Sequence, residues 1–234
     1  MYFFDARRSA GARSCCLSTS TSSFLLILFP SGSILCFAES FSYTTAQAYI
    51  GYAWAPDVFA RIFLGYLIYD ATAMIAFYST LKDPAGLFHH LLFIPAASYV
   101  LAHSIMAFPF VWLSWCEVST PFVNYRWHLA ATGRKGERVY ALNAVLVGAL
   151  FFIARVLCYG AGLFDLLAPT RRALWGGPGQ PFGHKAVVAL FAVGWALNLY
   201  WFNLIVKAAV RAVRPAAVSA STRSHDDRLE KRRE

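Results

Sequence analysis

The chain of 234 residues is 58% apolar, 17% aromatic and only 14% charged, where a soluble domain is roughly one quarter charged. Residues 24–206 hold 17 charged side chains in 183 positions, whereas the 28 residues from Lys207 onward hold 12. So few charges cannot cover a globule, which excludes a cytosolic enzyme, a disordered chain and a nucleic-acid module and predicts an all-α polytopic transmembrane helical bundle.

Residues 1–23 are rich in Ser, Thr and Arg with one acid, Asp5, and carry the Cys15–Cys16 pair, a weak palmitoylation signal. The apolar run FLLILFPSGSILCFA at 24–38 is short for a span and is interrupted by Pro30 and Gly32. Three readings stay open for it: a poorly formed first transmembrane helix, a secretory signal peptide cut near Ala38, and an organelle transit sequence. Four later stretches, 58–80, 87–108, 139–164 and 185–206, reach the ~20 apolar residues that a bilayer crossing requires. A fifth, 109–127, opens at Pro109 and is more polar; it predicts a tight helical hairpin with the span before it. The expected organisation is an atypical region 1–44, a transmembrane domain 45–213 and a basic tail 214–234, with six spans, or five if the first run is removed.

The net charge of +9 sits in ends and loops. With the tail on the cytosolic side, alternation places Lys82 and the Arg134-Lys135-Gly136-Glu137-Arg138 loop there too. Every basic cluster but the Arg171–Arg172 pair lands on that one side, as the positive-inside rule expects. Arg61 and Lys185 stand at span ends, where they can snorkel.

Ionisable residues inside spans cost at least a few kcal/mol unless they face a partner or a cavity. Asp70, Glu117, Arg155 and Asn198 are such residues, each near mid-depth. Glu117, Thr120, Asn124 and His128 fall at i, i+3, i+7 and i+11, one stripe of a helix, beside Pro121. Arg126 ends that span within reach of headgroups or a lipid phosphate. Two roles are open for the set: interhelical glue, or the lining of a functional cavity. His89 and His90 open the third span near the cytosolic face; as neighbours ~100° apart they cannot chelate one metal from a single helix face, so no metal site is expected. An imidazole there could be a general base or a polar anchor. Trp112, Trp115, Trp127, Trp195 and Trp201 are expected in interfacial belts or lipid-facing packing. Gly65, Gly148, Gly160 and Gly194 are expected at close helix approaches.

GYLIYD at 65–70, the histidine pair at 89–90 and EVSTPFVNYRW at 117–127, in that order and followed by Arg155, resemble the TLC-domain family of ceramide synthases and their smaller TLC-domain-containing relatives. The resemblance covers roughly 60–212. It implies a helical bundle around a lipid-accessible cavity, which in ceramide synthases joins an acyl-CoA chain to a sphingoid base. His89, His90 and Ser98-Tyr99 match that pattern. The later His-Asp and second Asp do not: Cys116-Glu117 and Thr120 stand there instead, which removes acid/base groups from the reaction. Three functions therefore stand as expectations. The first is lipid handling in membrane lipid homeostasis, with acyl chains or sphingolipids as partners, no cofactor, and Asp70, Glu117 and Arg155 as the polar floor of the cavity, Asn124 and Arg126 lying near its cytosolic mouth. The second is an acyl-CoA-dependent N-acyltransferase using His89 or His90, oriented by Glu117. The third is a transporter relaying protons through Asp70 and Glu117. The expected location is the endoplasmic reticulum, with a plastid membrane as the alternative.

Overall fold

The structure, a computed structural model, describes residues 49–52 and 54–230. The run at 24–38, the Cys15–Cys16 pair and the whole 1–44 region lie outside the described residues. All regular elements among those described are helical: α1 (Trp54–Ala76), the short α2 (Tyr78–Leu81), α3 (Pro84–His103), α4 (Ala107–Ser114), α5 (Thr120–Ala131), α6 (Arg138–Leu150), α7 (Tyr159–Leu167), α8 (Pro169–Gly176) and α9 (Phe182–Glu230). The chain is thus an all-α polytopic helical protein. Four stretches are long and apolar enough to cross a bilayer, Pro56–Ala76, Pro84–His103, Arg138–Leu167 and Phe182–Arg211. They overlay four of the spans expected from hydropathy.

The fifth expected span, 109–127, is not one continuous helix. It runs as α4, a 3₁₀ turn over Trp115–Ser119, and then α5. Its partner, Arg138–Leu167, is also irregular: between α6 and α7 it widens into a π-helical segment, Phe151–Cys158. α4 packs on α7, the 3₁₀ turn on the π segment, and α5 on α6. The broken piece therefore runs antiparallel to Arg138–Leu167 along its full length, and the two irregular stretches face each other in the middle.

Local sequence explains the break. Ser119 turns its hydroxyl back to donate to the Cys116 carbonyl at 3.0 Å, competing with a regular helical ladder. Pro121 then stands in the first turn of α5, where its missing N–H costs nothing. The π segment has its own supports. The Trp112 indole N–H donates to the Cys158 carbonyl at 3.2 Å, and that of Trp195 to the Val156 carbonyl at 3.1 Å. Irregular backbone at membrane depth is tolerated where it is buried in protein and its polar groups are bonded, and here two tryptophans do that work. The expectation of belt or lipid-facing tryptophans is corrected for both, and for Trp201, which is buried against His89.

Glycine makes these approaches possible. A Cβ at Gly162 would collide with the Trp112 ring, and one at Gly160 would lie 3.0 Å from the Trp195 indole nitrogen. Gly194 likewise admits Phe93 and the Tyr159 hydroxyl, which donates to the Phe191 carbonyl at 2.9 Å. Gly148 meets only an ordinary contact with Ile205, and Gly65 has nothing within 4 Å, so Gly65 is not a packing glycine.

The turns alternate between two ends. At one, Asp83 caps α3 by accepting from the Gly86 N–H at 2.9 Å with Pro84 in the first turn, and Arg134 bonds Glu137. At the other, the Met106 N–H donates to the Ile50 carbonyl at 2.7 Å, and the Arg171 guanidinium lies 4.0 Å over the Tyr49 ring. Arg61 does not stand alone at its span end but bonds Asp57 one turn earlier, at 2.8 Å. Between the ends, Phe59, Phe63 and Leu67 of α1 join Phe93, Ala97 and Val100 of α3, Phe110 and Leu113 of α4, and Phe191 of α9 in one core. Leu142 and Val145 of α6 remain exposed, as a lipid-facing surface requires.

Gly162→Ala should destabilise the protein by about 1–3 kcal/mol, because the added methyl overpacks against Trp112. Gly65→Ala should be neutral or slightly stabilising, since the space is open and alanine is the better helix former. Unfolding in mild detergent, followed by tryptophan emission, measures both.

Candidate functional site

The irregular middle of the bundle gathers most of the intramembrane polar residues. Arg155, on the π segment, is buried and reaches four partners. Its Nε donates to Ser119 Oγ at 2.8 Å, Nη2 to Thr120 Oγ1 at 2.8 Å and to Glu117 Oε1 at 3.2 Å, and Nη1 to Asn198 Oδ1 at 3.4 Å. Thr120 passes the interaction on, donating its own hydroxyl to the other Glu117 oxygen at 2.5 Å. The Cys116 thiol lies 3.4 Å from Glu117 Oε1. The guanidinium also stands 5.2 Å over the Phe151 ring. A cation in a low-dielectric interior is tolerated when a counter-charge and hydrogen bonds surround it. The 3₁₀ turn supplies both, because its tighter winding brings Glu117, Ser119 and Thr120 round toward one guanidinium.

Asp70 is not part of this cluster, which corrects the expectation of a shared floor. It pairs instead with His90, its Oδ2 lying 2.9 Å from Nε2. His90 is buried, while about a third of the Asp70 side chain is exposed. Tyr66, one turn before Asp70 on α1, stands edge-on to the His90 ring at 6.3 Å. Glu117 does not orient an imidazole; Asp70 does.

His89 points another way. Only 7% exposed, it packs at 4.7 Å on Phe93 and edge-on at 5.4 Å to Trp201. It borders a void of about 10 Å³ lined otherwise by Phe63, Phe93, Phe110, Leu113, Cys116 and Phe191. That is room for about one water molecule. The Nδ1 atoms of His89 and His90 are both buried without a hydrogen-bond partner. Neither histidine is a polar anchor at the interface. No group of three or more His, Cys, Asp or Glu that could hold a metal occurs among the described residues.

Of the remaining expected site residues, Asn198 is fully buried with its Oδ1 on Arg155. Asn124 is half-buried on α5. Arg126 joins neither cluster: its guanidinium lies 4.2 Å over the ring of Tyr140 on α6. The expected helical stripe from Glu117 to His128 is interrupted by the 3₁₀ turn, yet Glu117 and Thr120 still meet. Sequence reasoning missed Ser119, Tyr66 and the phenylalanine wall. Ser119 had a signal, its place before Thr120-Pro121; Tyr66 and the phenylalanines look like any other aromatic residues of an apolar span.

A polytopic bundle with a buried arginine cluster held by paired irregular helices, and a histidine–aspartate pair nearer one end, defines an integral membrane protein built around its intramembrane polar residues. The family model described as the TLC domain matches residues 11–207, and the chain belongs to that family. TLC domain-containing protein 4 of Xenopus tropicalis is 25% identical over 175 residues, covering 70% of this chain and 63% of that protein. TLC domain-containing protein 4 of Homo sapiens is 31% identical over 93 residues, 39% of this chain and 35% of that protein. Topoisomerase I damage affected protein 4 of Saccharomyces cerevisiae is 26% identical over 166 residues, 66% of this chain and 56% of that protein. The chain spans less than two thirds of the length of each of these curated relatives. No solved structure matches it.

Glu117→Gln should cost about 3–5 kcal/mol of stability, because it leaves the buried guanidinium without a counter-charge. Replacing both partners, as Glu117→Gln with Arg155→Met, should cost clearly less than the sum of the single changes. A double-mutant cycle on detergent-solubilised protein measures the coupling.

Proposed function

We propose that this protein handles membrane lipids, accommodating an acyl chain or sphingolipid tail between its helices beside His89 and so acting in membrane lipid homeostasis. The observation that supports this reading is the phenylalanine-lined void with a buried, unpartnered imidazole nitrogen in its wall. A void of this size holds no alkyl chain as it stands. Its walls, however, are mostly phenylalanines from α1, α3, α4 and α9, with Cys116 of the 3₁₀ turn, and phenyl rings can swing without breaking a helix. Chain binding is therefore coupled to a local parting of these helices, and the Arg155 cluster keeps the rest of the bundle in place while it happens. The endoplasmic reticulum, with a cytosolic C-terminus, is the location that goes with this reading.

The Asp70–His90 pair favours a second reading, an acyl-CoA-dependent N-acyltransferase. With Nε2–H donating to Asp70, the tautomer is fixed and Nδ1 is the nitrogen left to take a proton from an attacking amine. Acyl-CoA would then be the co-substrate, and Asp70 rather than Glu117 the orienting group.

Both readings are tested with the full chain expressed in cells lacking ceramide synthase. Lipid handling predicts that the purified protein retains lipid, seen by mass spectrometry of its extract, and that Leu113→Phe lowers retention severalfold while labelled acyl chains enter no amide. Amide product that vanishes in His90→Ala and Asp70→Asn replaces that reading with the second. Neither retained lipid nor product rejects both.

A further inference from the structure

Arg126 has a placement that neither polar group explains. It stands on α5, and its guanidinium lies 4.2 Å over the ring of Tyr140 in the first turn of α6. The side chain therefore climbs toward the turn at 132–137, at the same end of the bundle as the Lys82–Asp83 turn. One of its terminal nitrogens, Nη1, is shielded and makes no hydrogen bond. A guanidinium held over an aromatic face by a cation–π contact keeps its N–H donors for other partners, and a phosphate oxygen suits them. The surroundings share one sign. Lys135 and Arg138 are exposed beside the same turn. The lone acid there, Glu137, is engaged through both of its oxygens by Arg134 at 2.7 Å, and this contact holds its carboxyl below the usual carboxylate range. The half-exposed Tyr125 ring, stacked on His128 at 6.5 Å, and Trp127 add the aromatic residues typical of a membrane–water interface.

We infer that Arg126, held on Tyr140, binds the phosphate of an anionic phospholipid headgroup where α5 meets α6, with Lys135 and Arg138 supplying further positive charge. Basic pockets between helices at this level recognise anionic headgroups, and a small swing of the guanidinium on the Tyr140 ring would bring the now shielded Nη1 donor to a phosphate oxygen. The site is separate from the void beside His89, so lipid retention there and headgroup binding here can fail independently.

The test titrates the full chain, in a neutral detergent, with short-chain phosphatidylglycerol, short-chain phosphatidylcholine and inorganic phosphate, following binding by native mass spectrometry or calorimetry. Phosphatidylglycerol should bind more tightly than phosphatidylcholine. Arg126→Gln should weaken it roughly tenfold, the scale of one lost charge-assisted hydrogen bond. Tyr140→Leu should weaken it by a smaller factor, and Tyr140→Phe should leave it unchanged. Arg172→Gln, at the opposite end, is the control and should have no effect. Unfolding midpoints of the variants in lipid-free detergent separate lost binding from lost fold. If Arg126→Gln disturbs the fold, the Tyr140→Leu and Tyr140→Phe pair still decides. Equal affinity for the two lipids, or unchanged phosphatidylglycerol binding in the folded Arg126→Gln or Tyr140→Leu protein, overturns the inference. Saturation by inorganic phosphate at the same concentrations also overturns it, assigning the site to soluble phosphate.

Discussion

One guanidinium sets the terms for the rest of the structure. Arg155 lies in the middle of an apolar stretch, where leaving its donors unsatisfied would cost several kcal/mol. Regular helices at that depth would present side chains from widely spaced turns. The 3₁₀ turn and the π segment instead bring Glu117, Ser119 and Thr120 from one side and Arg155 from the other into a single contact set, with Asn198 closing it from α9. Both backbone irregularities are costly alone, and each finds its reason in the other.

Around that fixed centre the bundle divides its polar chemistry. The Arg155 guanidinium has its counter-charge and hydroxyls already in place, which is the pattern of structural glue, although the Asn198 amide nitrogen beside it makes no hydrogen bond. The pair of Asp70 and His90 is different, because its carboxylate is a third exposed and one imidazole nitrogen is unpartnered. His89 is different again, an imidazole in an aromatic wall. The Asp70–His90 pair thus bridges α1 and α3, the Arg155 cluster joins the 3₁₀ turn and the π segment to α9, and the void beside His89 lies among α1, α3, α4, the 3₁₀ turn and α9.

Much of the architecture was legible in the sequence because hydrocarbon imposes a length and a composition on each span. Four crossings and the inward-facing Glu117 and Arg155 follow from that rule, whereas the chain turns at Ser104–Met106 rather than at Pro109, which lies in the first turn of α4. What could not be read was the winding of individual turns. Helical periodicity assumes 3.6 residues per turn, so a stripe counted across residues 117–128 ignores the tighter turn that ends at Ser119, and no residue type announces the wider one at 151–158. Partner choice was equally hidden. Asp70 and Glu117 are both acids at mid-depth, and only the register between α1 and α3 decides that the first meets His90 and leaves Arg155 to the second. Glycines were half legible: a close approach needs glycine, but a glycine such as Gly65 does not need a close approach.

The facing of the two irregular stretches constrains how this protein can be recombined with its kin. A chimaera that grafts only residues 115–120 into another member of the family would carry the tight turn without the wide one opposite it. The donated acid and hydroxyls would then arrive without the wide segment that presents Arg155 to them. Segments 115–120 and 151–158 must travel as one module, together with the tryptophans at 112 and 195 that hold the second of them open.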